Sequence, residues 1–450
     1  MVEGPLFGKI IMFVLPLIAT SILQLLYNAA DIVVVGRFSG ETALAAVGAT
    51  GALITLIFNV FMGLGNGASV CAANAIGAKD DARVGRYVHT SIAVAAIGGV
   101  VTMIIGFFFA KPMLELMDTP EDVIDLSTLY VKIFFIGAPA NLIFNFVAGL
   151  LRAAGDTKRP LYILSLSGIV NVSLNLVFVW GFNMSVAGVA IATVASQYVS
   201  VILVLRHIMK IDTNLKYVPR KTQISKKELV DIIKIGLPSG FQGMLFSLSN
   251  VMVQSSVNSL GTVAVAGNTA AGNIEGFIWA SMNTLHQASQ TFTSQNLGAG
   301  KIERSKKVLL SSLVIVTFVG VIMGVAANLF DTQLLSLYAP GKNDVIASGV
   351  SRLRIIAATY FLCGIMDVFS GVLRGLQYSI SQMMISLISV CGFRIIWLST
   401  VFKAEPTALN IYLTYPISWI MATLAFIVCY AVAYKRTKAR LSAMRTPEYV

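Results

Sequence analysis

Charged residues are scarce in this sequence: 12% of its 450 residues are Asp, Glu, Lys or Arg, whereas 56% are hydrophobic. Soluble globular proteins carry about 25% charged residues. So few charged side chains cannot cover that much apolar chain in water, and the mean hydropathy of +0.79 agrees. The composition excludes an ordinary set of soluble domains and indicates a protein that uses lipid as its solvent.

Cysteine and histidine are also rare, with four and three residues. The cysteines stand singly in apolar stretches without a C-x-x-C motif, which predicts neither a disulfide framework nor a metal site. The histidines lack the spacing of zinc ligands, and the sequence has no P-loop of the form G-x-x-x-x-G-K-S/T. These absences argue against a membrane-embedded enzyme and against a bound cofactor. They leave an ion gradient as the expected source of energy.

Long apolar runs are what the sequence has in abundance. A helix needs about 20 apolar residues to cross the hydrocarbon core of a bilayer. Twelve such stretches occur, at 10–35, 44–76, 88–110, 128–151, 161–182, 187–209, 232–258, 264–297, 308–330, 350–373, 382–402 and 409–434. We therefore predict an all-α polytopic membrane protein with twelve transmembrane helices. Because the number is even, both termini lie on the same side.

The basic residues are distributed unequally between the two sides. The side that holds the termini carries 25 of the 33 Lys and Arg residues, the last being Arg445. The other, outer side and its helix ends carry seven, including Arg352, and Arg394 falls within a span. The positive-inside rule then predicts a plasma (inner) membrane protein with both termini cytoplasmic. Insertion topology thus explains the net charge of +12, and no nucleic-acid partner is predicted.

The chain also repeats itself at an offset of 221 or 222 residues. Three pairs of segments match: 15–16 with 237–238, 74–79 with 295–300, and 149–152 with 371–374. We predict two lobes of six helices each, 1–218 and 219–450. Since each half has an even number of spans, the halves are parallel repeats, an arrangement known from transporters.

Several motifs in order resemble the multidrug and toxic compound extrusion (MATE) family over essentially the whole chain. They are Asn28–Arg37, Ala43–Gly48, Gly149–Thr157 and Gly188–Thr193, with repeats of Q-N-x-G-A and G-x-L-R-G in the second half. The resemblance implies two lobes around a central cavity that opens alternately to each side. It implies cation-coupled export of amphiphilic drugs or metabolites, often cationic, by a transporter expected to be a monomer in contact with membrane lipids.

A polar stripe runs along the first predicted helix. Gln24, Asn28 and Asp31 stand at positions i, i+4 and i+7, with Tyr27 beside them, so they share one face. An ionisable group inside the bilayer costs about 2.5–3.5 kcal/mol on insertion scales, which makes Asp31 a functional candidate. The alternative is that Asp31 lies near the outer interface and extends its side chain toward water.

Two further helices carry polar residues at helical spacing. Asn171 and Asn175 share a face of the fifth helix, and Thr193 and Gln197 share a face of the sixth. A carboxylate with amide and hydroxyl oxygens suits a desolvated Na⁺ or a transferable proton. The resemblance implies that Asp31, Asn171, Asn175 and Thr193 form the cation-coupling site, with Asp31 as a metal ligand if the ion is Na⁺. The alternative is that the asparagines only hydrogen-bond neighbouring helices together.

The second half lacks the same site, because the repeat places Met252 or Val253 where Asp31 stands and Ile396 or Trp397 where Asn175 stands. With Gln24, Tyr27, Asn28 and Gln197 from the first half, Glu275 and His286 are expected to line the substrate cavity. His286 has the alternative of a packed, hydrogen-bonded histidine. Asp367 and Arg394 are expected to form an interhelical ion pair, with a counter-ion role of Asp367 toward cationic substrate as the alternative.

Pro16 lies inside the first span and permits a bend there. We expect this bend to gate the cavity when Asp31 changes charge, the alternative being a static kink. A different function, the flipping of lipid-linked sugars or another lipid precursor, would require several cationic side chains in the cavity. Arg394 is the only cation predicted within a span, which favours the exporter.

Overall fold

The computed structural model of the chain describes residues 1–117 and 119–443, so that Asp118 and the segment 444–450 with Arg445 lie outside the described residues. Across the described ranges the regular structure is helical, without strands. The α-helices are α1 (Leu6–Phe38), α2 (Glu41–Gly77), α3 (Asp81–Glu115), α4 (Glu121–Ile136), α5 (Ala138–Ala154), α6 (Lys158–Asn175), α7 (Ser185–Lys210), α8 (Lys226–Asn258), α9 (Thr262–Gly298), α10 (Ile302–Leu329), α11 (Asp331–Tyr338), α12 (Asn343–Gly375), α13 (Ser379–Ser386), α14 (Phe393–Trp397) and α15 (Ala408–Ala443). A 3-10 turn covers Pro219–Lys221, and π-helical segments cover Leu176–Gly181, Leu387–Gly392 and Leu398–Phe402.

Each predicted span lies in a helical run of the structure, and some runs consist of more than one helix. Counted within the described residues, ten helical runs are long and apolar enough to cross a membrane, and α4 with α5 forms an eleventh span bent by 49°. The remaining predicted span, 264–297, lies in α9, which has 37 residues but a more polar composition. The prediction of an all-α polytopic membrane protein is confirmed. The short helix α11 was not predicted.

The bend between α4 and α5 has a local cause. Gly137 separates the two helices, and Pro139 stands in the first turn of α5. Proline has no backbone N–H to donate and is tolerated in a first helical turn, so it fits a helix start better than a helix interior. The fourth predicted span is therefore two helices with a break between them.

The chain divides into two compact units, one formed by Leu15–Gly243 and the other by Met1–Val14 together with Met244–Val450. We call them the first and the second unit. The helices α1 and α8 each begin in one unit and end in the other. The lobe boundary at 218/219 stays a prediction.

Glycines bring α2 and α8 together within the first unit. Gly63 and Gly67 on α2 face Gly236 and Gly240 on α8, and a Cβ added to Gly67 would lie 2.5 Å from the backbone oxygen of Ile232. Small residues four positions apart let transmembrane backbones approach closely. The pattern Gly-x-x-x-Gly on both helices therefore fixes their contact, since any side chain would separate them.

Candidate cation and substrate site

Asp31 lies on α1 and is held by side chains from two other helices of the first unit. Asn175 Nδ2, at the end of α6, donates to Asp31 Oδ1 at 2.5 Å. Thr193 Oγ1 on α7 lies 3.4 Å from Asp31 Oδ2 and 2.9 Å from the carbonyl oxygen of Val189. A hydroxyl has a single proton, so Thr193 donates either to the Val189 carbonyl or to the carboxylate of Asp31. Thr193 therefore places an adaptable hydroxyl beside the carboxylate.

Asn171 completes the group that the sequence predicted. Its Nδ2 donates to Thr193 Oγ1 at 3.3 Å, and its Oδ1 accepts from Asn175 Nδ2 at 3.3 Å. Both asparagines are buried, with Asn175 fully enclosed. The structure thus brings Asp31, Asn171, Asn175 and Thr193 into one connected group. Their role in ion coupling stays a prediction.

One oxygen of this group lacks a partner. Asn175 Oδ1 is buried and accepts no hydrogen bond from the residues that the structure describes. A buried polar atom without a partner is costly. A hard cation such as Na⁺ takes carboxylate and amide oxygens as ligands, and a protonated Asp31 could donate to the same atom. The donor set therefore fits either coupling ion.

A polar cavity of about 270 Å³ adjoins the group within the first unit. All the first-half residues predicted to line the substrate cavity are present in its wall. The lining residues are Gln24, Tyr27, Asn28, Asp31, Asn141, Phe144, Asn145, Leu164, Ser167, Gly168, Asn171, Thr193, Ser196, Gln197 and Ser200. The carboxylate of Asp31 is thus part of the cavity wall.

Among the lining residues that the sequence analysis missed are two pairs of polar residues, Asn141 with Asn145 and Ser196 with Ser200. Each pair has a spacing of four residues, on α5 and α7 respectively, which is the signal that could have identified them. Asn145 Nδ2 donates to Asn141 Oδ1 at 3.0 Å. The cavity therefore has polar walls on four helices.

Two glycines make room for side chains of the cavity. The ring of Tyr27 occupies the place that a Cβ on Gly168 would take, and Tyr27 Oη donates to the Leu164 carbonyl at 3.2 Å. Gln197 Oε1 lies in the same way against Gly137, at the break between α4 and α5. The break thus brings a cavity residue close to the backbone.

In the second unit, Glu275 is engaged by an arginine that the sequence analysis placed on the outer side. Arg352 Nε and Nη2 donate to the two carboxylate oxygens of Glu275 at 2.8 and 2.7 Å, and Nη1 donates to Asn268 Oδ1. Both charged residues are buried. This corrects the assignment of Arg394 as the only cation within a span. A role of Glu275 in the substrate cavity stays a prediction.

His286 belongs to a second buried network. Its Nδ1 lies 2.8 Å from the Asp367 carbonyl oxygen, and its Nε2 lies 3.1 Å from Arg374 Nη1. Because a guanidinium can only donate, Nε2 accepts and Nδ1 donates. The hydrogen bonds therefore hold a neutral imidazole of defined tautomer. Arg374 Nη2 also donates to Gln382 Oε1 at 3.1 Å.

The predicted ion pair between Asp367 and Arg394 is not formed, and neither residue has an ion pair with any other described residue. Arg394 turns toward α15, where its guanidinium carbon lies 4.3 Å from the ring centroid of Tyr415. The sequence analysis paired these side chains because it placed Arg394 as the only cation within a span, and Asp367 as an acid on the preceding span. Helical position alone did not show that Arg394 faces an aromatic ring.

Comparison with known proteins gives matches over the whole chain. The MatE family model matches residues 16–177 and 238–398. The probable multidrug resistance protein YoeA of Bacillus subtilis is 27% identical over 435 residues, which is 94% of this chain and 93% of that protein. The probable multidrug resistance protein NorM of Thermotoga maritima is 25% identical over 395 residues, covering 86% and 84%.

Solved structures agree with the fold. The outward-facing conformation of a multidrug resistance MATE family transporter superposes with a TM-score of 0.88 at 22% identity, covering 99% of this chain and 98% of that one. A sequence identity of 22% establishes the fold but neither the substrate nor the coupling ion, which have to be argued from the residues of the site.

Proposed function

The chain belongs to the MatE family, whose members are transporters rather than enzymes, and on this premise we propose that it exports amphiphilic, often cationic, compounds by antiport against H⁺ or Na⁺. It is a multi-pass membrane protein. We propose the plasma (inner) membrane as its location, with cytoplasmic termini and a monomer as the working unit. Relatives named as multidrug resistance proteins support the proposed export.

The proposal depends on one observation: the carboxylate of Asp31 belongs both to the hydrogen-bonded group and to the cavity wall. Asp31 binds the amide of Asn175 and also forms part of the wall of the 270 Å³ cavity. A coupling ion on Asp31 cancels the charge that would attract a cationic substrate. The ion and the substrate therefore compete for the same carboxylate, which is what exchange across a membrane requires.

The two candidate ions engage the group differently. Na⁺ would be held by the carboxylate of Asp31 with Asn175 Oδ1, the buried oxygen without a partner. A proton would neutralise Asp31 and let it donate to that oxygen. Proteoliposomes loaded with the cationic dye rhodamine 123 separate the two, since a pure Na⁺ gradient or a pure pH gradient can be imposed in turn. We expect one of them alone to drive efflux.

Asp31→Asn tests the proposal directly. The amide keeps the size of the side chain but cannot ionise, so gradient-driven efflux of rhodamine 123 should be lost. Asp125→Asn is the matched control, because its carboxylate is exposed and its one ion pair within the described residues is with the exposed Lys111, at 3.3 Å. Unchanged efflux by Asp31→Asn under the driving gradient would contradict the proposal.

The arginines of the second unit bear on the flippase alternative. Three are buried, where the sequence predicted one: Arg352, Arg374 and Arg394. Arg352 is neutralised by Glu275, and Arg374 donates to His286 and Gln382. A pyrophosphate would need several uncommitted cations together, so this set supports the exporter over the flippase.

A further inference from the structure

The two halves of the chain can be compared position by position through their repeat. An offset of 222 residues carries Thr193 onto Tyr415 and Asn171 onto Phe393, the neighbour of Arg394. The same offset carries the start of the π-helical segment Leu176–Gly181 onto the start of Leu398–Phe402. The helices that contain Asn171 and Arg394 are thus structural equivalents.

A second π-helical segment explains why Arg394, rather than Phe393, takes the place of Asn171. Leu387–Gly392 is π-helical, whereas the equivalent residues 165–170 are α-helical. A π turn holds about one residue more than an α turn, so the residues directly after it, Phe393 and Arg394, are turned round the helix by about one position relative to their equivalents. The alignment is again at an offset of 222 from Leu398 onward. Such turns occur often at functional sites.

The contacts of the two positions agree with this alignment. In the first unit, Asn171 Nδ2 lies 3.3 Å from Thr193 Oγ1. In the second unit, the guanidinium of Arg394 lies over the ring of Tyr415, which stands at the position of Thr193. Each unit therefore has the same pair of helices in contact at the same place. Only the side chains differ, polar beside an acid in one unit and cationic beside an aromatic ring in the other.

Arg394 has no counter-ion in the described residues. The residue is 4% exposed, and its Nε is enclosed without a hydrogen-bond partner. Its terminal nitrogens also lack partners within the ranges the structure covers, yet they are not fully enclosed. Arg352, which is buried to a similar degree, has Glu275 as its partner. A buried cation without an anion is strongly unfavourable, so Arg394 is ready to receive one.

One aromatic ring, that of Tyr415, lies over this cation. The ring centroid of Tyr415 is 4.3 Å from the guanidinium carbon of Arg394 and 5.4 Å from that of Arg352, and the ring contacts Trp419 with centroids 5.9 Å apart. Stacking on a ring fixes the plane of a guanidinium while leaving its N–H groups free to donate. A planar carboxylate or a phosphate is the group that such a fork binds best.

We propose that Arg394 and Tyr415 form an anion-binding subsite in the second unit, which accepts the carboxylate or phosphate group of an amphiphilic substrate. This rests on the proposed function as an exporter and names a further part of its substrate range. The first unit attracts a positive group through Asp31, and the second attracts a negative group through Arg394. Zwitterionic and anionic amphiphiles are therefore substrates alongside cations.

A pair of dyes that differ in one group tests the subsite. Rhodamine 110 has a free carboxylate, and rhodamine 123 is its methyl ester. Binding of each dye to the purified full chain in neutral detergent is measured by fluorescence anisotropy. In Arg394→Gln we expect the affinity for rhodamine 110 to fall about tenfold or more, as the loss of a charged hydrogen bond predicts, and that for rhodamine 123 to stay within about twofold.

The controls separate binding from folding. Arg394→Lys keeps the positive charge and should retain part of the preference for rhodamine 110 over rhodamine 123. Asp367→Asn should leave this preference unchanged or make it stronger, since Asp367 is not the counter-ion of Arg394. Equal losses for both dyes in Arg394→Gln, or no loss for the acid, would overturn the proposal. If Arg394→Gln does not fold, competition on the wild type tests the proposal instead. Benzoate should then displace rhodamine 110 but not rhodamine 123, and a benzoate that does not discriminate between the dyes in this way would overturn the subsite.

The source of the anion is settled by competition. Displacement of rhodamine 110 by phosphatidylglycerol, but not by phosphatidylcholine, supports the subsite with a lipid headgroup as occupant. Resistance to both lipids supports it with a soluble amphiphile as occupant. The binding assay needs no gradient, so the two proposals fail separately. Absence of rhodamine 123 efflux by the wild type under either gradient would contradict antiport, and it would leave the result of the binding assay on the subsite unchanged.

Discussion

At the scale of single residues, the two polar atoms of the Asn175 amide have different surroundings. Its nitrogen donates to Asp31, and its oxygen accepts no hydrogen bond from the described residues, so we propose this oxygen as a ligand of the coupling ion. Asn175→Ala removes both, so the concentration of driving ion needed for half-maximal efflux should rise about tenfold or more, as expected for the loss of a charged hydrogen bond. Ion titration in proteoliposomes measures this.

Asn145→Ala is the matched control for that variant. Asn145 also lines the cavity, but its amide bonds to Asn141 and not to the carboxylate. Its ion dependence should equal that of the wild type. An unchanged ion dependence in Asn175→Ala would remove Asn175 from the coupling site.

Tyr27 depends on the absence of a side chain at Gly168. In Gly168→Ala the new Cβ collides with the ring of Tyr27, which should destabilise the protein by about 1–3 kcal/mol and displace the ring from the cavity. Gly272→Ala, at a helix position with open space around it, should be neutral or stabilising by up to about 1 kcal/mol. Unfolding in detergent compares the two, and equal stabilities would refute the packing argument.

At the scale of helices, the ion pair between Glu275 and Arg352 links α9 to α12. Removing one partner of a buried pair leaves an uncompensated charge, at a cost of about 3–5 kcal/mol. Glu275→Gln should therefore lower the midpoint of thermal unfolding markedly. The double variant Glu275→Leu with Arg352→Met should recover much of the loss, since replacing both charges with apolar groups is often neutral.

An exposed pair provides the comparison. Lys111 and Asp125 lie 3.3 Å apart with half or more of each side chain exposed, and such pairs contribute about 0–1 kcal/mol. Asp125→Asn should leave the unfolding midpoint almost unchanged. A double variant of Glu275 and Arg352 as unstable as the single one would indicate that the pair is not the cause.

The positions of the helices could be predicted from the sequence, because each span is determined by the length of its own apolar run and by the turn residues at its ends. All twelve predicted stretches lie on helices, and even the polar α9 was recognised by its length. The grouping of Asp31 with Asn175 and Thr193 was anticipated through the family resemblance. The contact partner of a long side chain could not be predicted from the sequence, because it depends on which helices pack beside it. Arg352 was placed at a helix end, whereas it reaches Glu275, and Arg394 was paired with Asp367 instead of Tyr415.

At the scale of the whole molecule, the asymmetry of basic residues predicts the topology. With both termini cytoplasmic, a green fluorescent protein fused after Val450 should fluoresce, because it folds in the cytoplasm. Alkaline phosphatase fused there should be inactive, and phosphatase inserted at Gly341, a surface turn on the opposite side with positive φ, should be active. The reverse pattern would invert the orientation.

The division of α1 and α8 between the units has a consequence for the history of the chain. Residues 1–14 pack with 244–450, while residues 226–243 pack with the rest of the first unit. Each half therefore lends the beginning of its first helix to the other, which is a reciprocal exchange of arms within one polypeptide. The internal repeat indicates that both halves derive from one six-helix unit, which could make the same exchange only with a second copy of itself, as a domain-swapped dimer. In the present chain the two arms have separate positions, so their sequences can differ.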